Sequence, residues 1–217
     1  MDASTAPFTI AFVAGVTLTK WTSAWAERFP HVPLAFLPVE PGEQVGVLAA
    51  GLADVGFVRL PVETAGLSLI PLYAETPVVV LPAGHPLAEL ETVDLADLAG
   101  EDRVELPSTA DAVELVAAGG GVLLVPQSIA RLHARKDVVT RPVADGEETR
   151  IAIAWIAERT TERIEEFVGI VRGRTARSSR GAVRPESPPR AEEPRRTANR
   201  VPPKRVPPRR RRPRQGR

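Results

Sequence analysis

Cysteine is absent from this chain, which removes disulfide frameworks, thiolate nucleophiles and cysteine-ligated zinc together. Histidine is scarce: His31, His85 and His133 stand apart, not at metal-ligand spacing, so no metal and no cofactor is expected. No apolar run approaches the roughly 20 residues that span a bilayer. The opening Met1-Asp2-Ala3-Ser4 lacks the basic and apolar regions of a secretory signal, so a cytoplasmic location is expected. Enzyme signatures are missing as well: there is no GxSxG elbow, phosphate-binding P-loop, GxGxxG turn or HExxH helix, so no catalytic residue and no enzyme is expected. His85, in AGHPLA, reads as a strand-end turn residue, and Glu165-Glu166 as the solvated face of a helix.

Acidic and basic residues are present but segregated. Residues 1–173 hold 12 Lys/Arg and 24 Asp/Glu, whereas residues 174–217 hold 16 Lys/Arg and 3 Asp/Glu. The first segment has the apolar periodicity of a domain large enough to bury a core. The second has nine prolines, a VPPKR-VPPRR repeat and almost no apolar pattern, the composition of a disordered basic tail.

Along the body, Phe8 to Val13 reads as a buried strand, and Gly15 punctuates it. Leu18, Trp21, Trp25 and Phe29 follow at helical spacing, with Thr17 as N-cap and Pro30 as stop. Trp21 and Trp25 thus read as core or interface. Strands are expected at 32–39 and 55–58, separated by a helix opening at Pro41 with Val45, Leu48 and Leu52 on its face and Gly51 at its end. This β-α-β-α-β order predicts parallel pairing with right-handed crossovers. Extended segments follow at 67–73 and 77–81, a short helical turn at 94–98, and a short strand at 103–106. A helix capped by Ser108 runs to about Ala118, and Gly119-Gly120-Gly121 ends it. Strand 122–125, a helix from Pro126 to His133, and strands 138–143 and 151–156 come next. Thr160 or Thr161 caps a last helix with Ile164, Phe167, Val168 and Val171 on its face.

Five stretches, FVAGVT at 12–17, LAAGLADVGFVRLPV at 48–62, VVVLPAGHPLA at 78–88, ADAVELVAAGGGVLLVPQSIARLH at 110–133 and RIAIAWIAE at 150–158, occur in this order. Together they resemble the effector-binding domain of LysR-type transcriptional regulators, in a free-standing form with a basic tail. The resemblance implies an α/β, two-lobed fold of the type 2 periplasmic-binding-protein kind over residues 1–173. Lobe one would hold 8–82 and 143–173, lobe two 83–142, with crossings near Val79–Pro82 and Val139–Pro142. It also implies a regulatory, non-enzymatic role, a small carboxylate or aromatic acid effector in the interlobe cleft, and a homodimer or a LysR-type partner. Two departures stand out. The chain starts at the first strand, so the family's helix-turn-helix would be supplied by a partner, lost, or encoded upstream. Between 103–107 and the helix at 108–118 a family strand and helix are missing, which predicts a shortened second lobe.

The candidate effector site is the strand-to-helix turn Gly15, Val16, Thr17, Thr19 and Lys20, where open backbone amides and the helix dipole suit an anion. A plain N-cap with an exposed lysine is the structural alternative. Arg59 follows the third strand, where it would either hold a carboxylate bidentately or pair with Glu63 or Asp54. Ser108, Thr109, Gln127 and Ser128 open the lobe-two helices, either closing the cleft or only capping. The tail cations, among them Arg205, Arg209, Arg210, Arg211, Arg212 and Arg214, suit non-specific DNA or RNA binding, with the body as a degenerate scaffold in the rival reading.

Overall fold

The computed structural model describes residues 6–173. The tail expectations, from 174 onward, lie outside the described residues. Two sheets divide the body. In the first, β1 (Phe8–Val13), β2 (Leu34–Val39), β3 (Val55–Leu60), β4 (Leu67–Glu75) and β8 (Thr149–Ile156) take the order β2-β1-β3-β8-β4. β1 runs parallel to β2 and β3, as the β-α-β-α-β reading predicts, and β8 runs antiparallel to β3 and β4. In the second, β5 (Pro77–Pro82), β6 (Leu123–Pro126) and β7 (Val138–Pro142) pair antiparallel in the order β6-β5-β7.

This pairing corrects the lobe boundary. β5 is the middle strand of the second sheet, so the chain crosses at Thr76 and returns over 143–148 rather than at 82/83 and 142/143. The apolar run from β4 through β5 is broken by so little that the two strands read as one lobe in sequence.

The larger core lies beneath α1 (Thr19–Arg28) and α5 (Glu162–Val171). Trp25 is buried there and stacks on Phe8 at 4.8 Å, with Phe167 5.3 Å from Phe8 and 5.7 Å from Trp25. Trp21 stacks on Phe57 at 4.7 Å, so both tryptophans serve packing. Offset aromatic pairs at such spacings add to the burial of their own large surfaces. In α5 the buried face is Ile164, Phe167, Val168 and Ile170, and Val171 is only partly covered, which shifts the expected stripe by one residue. Thr161, rather than Thr160, caps α5 by accepting from the Ile164 amide at 3.3 Å.

Further differences are local. The helix after β2 is a 3-10 turn at Pro41–Glu43 leading into α2 (Gln44–Ala49); Leu48 is buried, but Leu52 lies beyond the helix and is 61% exposed. Gly51 ends the helix at φ +71°, as expected. Residues 103–106 form one bridge, Arg103 to Val122, and no strand. Residues 94–98 form turns. In lobe two, α3 (Thr109–Ala117) and α4 (Gln127–Leu132) stand against the three-stranded sheet. Among the described residues no helix is long and apolar enough to cross a membrane.

Candidate functional site

β1 ends at Val13, and its buried alternation delivers the chain to the carboxyl edge of the first sheet. Gly15 turns it at φ +87°, a conformation that favours glycine. A Cβ there would stand 2.5 Å from the Ser128 hydroxyl, so the turn also meets α4 of lobe two closely. Helix α1 then starts one residue later than the Thr17 cap predicts. Leu18 occupies the cap position in a helical conformation, and no side chain caps the first turn. The glycine turn uses the chain as far as Thr17, which stays exposed. The Trp21 amide bonds back to the Leu18 carbonyl at 3.0 Å, and the positive end of the helix dipole lies at this turn.

A cavity of about 460 Å³ opens at this turn. Gly15, Val16 and Thr17 line it from β1–α1, Phe12, Pro38 and Val39 give it apolar walls, Glu40 and Glu43 add two carboxylates, and Leu132 of α4 forms the lobe-two side. Thr19 and Lys20 are exposed in the first turn of α1 and do not line the cavity. Gln127 donates its backbone N–H to Thr76 at 2.9 Å. Ser108 caps α3 by accepting from the Asp111 amide at 3.3 Å, and Thr109 lines a different cavity, of about 450 Å³ within lobe two. The structure therefore joins the Gly15 turn to α4 and leaves Ser108 and Thr109 elsewhere.

Arg59 pairs with neither of its anticipated partners: Asp54 accepts from the Thr9 amide at 2.7 Å, and Glu63 from the Ala65 amide at 3.1 Å. Its Nε lies 2.6 Å from Glu75 Oε2, and its Nη2 donates to Glu75 Oε1 at 3.1 Å and to the Ala14 carbonyl at 2.9 Å. The Glu75 side chain is 3% exposed. It also accepts from Ser128 Oγ at 2.5 Å and Thr149 Oγ1 at 3.0 Å. Burial pushes the Glu75 carboxyl up, but the Arg59, Ser128 and Thr149 hydrogen bonds and the Arg59 charge outweigh it and hold the group below the usual carboxylate range. Burial and the Glu75 charge together push the nearby Tyr73 phenol up.

Gln44 is buried and completes the frame: its Oε1 accepts from the Arg59 amide at 2.6 Å, and its Nε2 donates to Pro41 O at 2.6 Å. Sequence reasoning missed Glu75, Thr149, Gln44, Glu40 and Glu43. A signal existed for Glu75, a lone carboxylate inside the apolar run LSLIPLYAETPVVV, since such a charge is buried only with partners. His85 has the structural role expected of it, accepting from the Leu87 amide at 3.2 Å at the head of a 3-10 turn.

Two α/β lobes meet at a cavity lined by the β1–α1 turn of one and by Leu132 of α4 in the other. The family model for the LysR substrate binding domain matches residues 6–110 and 102–176, and the chain belongs to that family. A probable hydrogen peroxide-inducible genes activator of Mycobacterium avium is 36% identical over 140 residues, covering 51% of this chain and 45% of the relative. The chain spans about half the length of the curated relatives it matches first. Among solved structures, the full-length BenM E226K mutant matches with a TM-score of 0.70 at 21% identity, covering 86% of this chain and 72% of that one. The BenM effector binding domain with its effector benzoate matches with a TM-score of 0.64 at 22% identity, covering 83% and 96%. At these identities the structures establish the fold.

Proposed function

We propose that this chain is the ligand-sensing module of a transcriptional regulator, and that its effector is a small carboxylic or aromatic acid bound in the cavity at the β1–α1 turn. The observation that carries this reading is the cavity itself, lined by Gly15, Val16 and Thr17 of one lobe and by Leu132 of the other. A ligand touching both lobes couples its binding to their arrangement, which is what a regulatory domain requires. The Gly15–Thr17 turn would take the acid group, and Phe12, Pro38, Val39 and Leu132 the apolar part. Benzoate, the effector named for the BenM domain, has this chemistry. Glu40 and Glu43 repel a second negative charge, so monoacids are favoured over diacids.

The Mycobacterium avium relative is named for peroxide-inducible genes. This chain has no cysteine for peroxide to oxidise, so a reversibly bound molecule is the better signal for it. As in the family resemblance, pairing with a second copy through the β2 edge is part of the proposal; Phe36 on that edge is 50% exposed beside a groove of about 510 Å³ between α1 and β2.

A thermal-shift screen of monocarboxylic and dicarboxylic acids on the full chain tests the effector reading, because a ligand bound only to the folded state stabilises it by mass action. Stabilisation by benzoate-sized monoacids, weakened by Leu132→Asp, supports it. A panel in which no acid stabilises the protein overturns it.

A further inference from the structure

Below the β1–α1 turn, four donor contacts from three separate segments converge on one carboxylate. The Arg59 guanidinium at the end of β3 makes two contacts, Ser128 in the first turn of α4 one, and Thr149 at the start of β8 one. An ionised carboxylate offers about four lone-pair sites, and this set fills two on each oxygen. A fork from arginine with flanking hydroxyls is how proteins recognise a free acid. Here the acid is on the chain. Glu75 is the last residue of β4, separated from the second sheet by Thr76 alone, and its side chain lies buried where the lobes meet. Ser128 comes from lobe two and stands where a Cβ on Gly15 of the cavity turn would meet it, while Arg59 donates to the Ala14 carbonyl of that same turn. The cluster therefore ties the crossing, both lobes and the cavity wall together.

We propose that Arg59, Ser128 and Thr149 form a carboxylate-binding site whose resident ligand is Glu75, a tethered acid that joins the lobes and keeps the Arg59 guanidinium from external acids. The site stands whether or not the cavity above it takes an effector. Removing the tethered acid without disturbing its donors opens the seat to a small carboxylate from solution. Formate and acetate fit the space a glutamate head group leaves; acetamide matches acetate in size but carries no charge.

The test compares the full-length wild-type protein with Glu75→Ala at pH 7 in sodium acetate, sodium chloride at equal ionic strength, and acetamide. The variant melts below the wild type, and acetate in roughly tenfold excess over its dissociation constant raises the variant's Tm by about 3–6 °C relative to chloride. Acetamide has no such effect, and Ser128→Ala in the Glu75→Ala background reduces the acetate shift. Acetate bound at the cavity turn would shift wild type and variant alike, so the difference between them reports the seat alone. Equal shifts in both proteins, or none in the variant, overturn the proposal. Should Glu75→Ala not fold unaided, its refolding yield in acetate against acetamide decides the matter: a higher yield in acetate supports the seat, and equal yields reject it.

Discussion

Glu75 is stable as an anion in the fold only because its neighbours are donors. Its folded-state pKa is held below the ordinary carboxylate value, 4.5, so the folded form favours the ionised group more than the unfolded chain does. The resulting stabilisation is full above the unfolded value and is lost as pH falls through the folded one. Urea unfolding of the wild type should therefore lose stability as pH falls below about 4.5, and Glu75→Gln should show a flatter profile over that range. At pH 7 the same substitution leaves Arg59 without its counter-charge and should cost about 3 kcal/mol. Gly15→Ala places a methyl at positive φ against the Ser128 hydroxyl and should cost about 1–3 kcal/mol, partly recovered in a Ser128→Gly background. At this scale the turn was legible in sequence, because a glycine between a strand and an amphipathic helix announces a loop at the sheet's edge. The acid below it was not legible. Glu75 meets Arg59, Ser128 and Thr149 across 16, 53 and 74 residues, and only the folded topology sets such separations.

Helices and strands followed their patterns where packing and propensity agree. The Leu18, Trp21, Trp25 and Phe29 stripe is a helix face because its aromatics fill the space over Phe8, Phe57 and Phe167. Phe167 touches three of these rings, so Phe167→Ala should destabilise the domain by about 3–5 kcal/mol in denaturant unfolding. Thr161→Ala removes the α5 cap and should cost about 1 kcal/mol. Where two candidates competed, periodicity alone did not choose. Thr160 and Thr161 look alike in sequence, yet Thr160 donates to the Ala157 carbonyl at 2.8 Å and accepts from the Trp155 indole at 3.0 Å, leaving Thr161 to cap. Segment 103–106 reads as a strand but keeps a single bridge, since the short loop through Pro107 and Ser108 turns it into α3 too soon for a ladder.

On the scale of the whole molecule, two sheets meet at one-residue and six-residue crossings, and the cavity turn, α4 and Glu75 gather at that junction. Pairing through the edge of the first sheet predicts a dimer by light scattering, and Phe36→Glu on β2 should shift it toward monomer without lowering the Tm, because half of that side chain faces solvent. The central claim, an acid effector bridging the lobes at the β1–α1 turn, is tested most directly by hydrogen exchange on the full-length protein with and without saturating benzoate. The account predicts added protection in two segments at once, residues 14–20 of lobe one and residues 127–133 of lobe two, with little change in the buried strands. Protection confined to one lobe, or to neither segment, would contradict it.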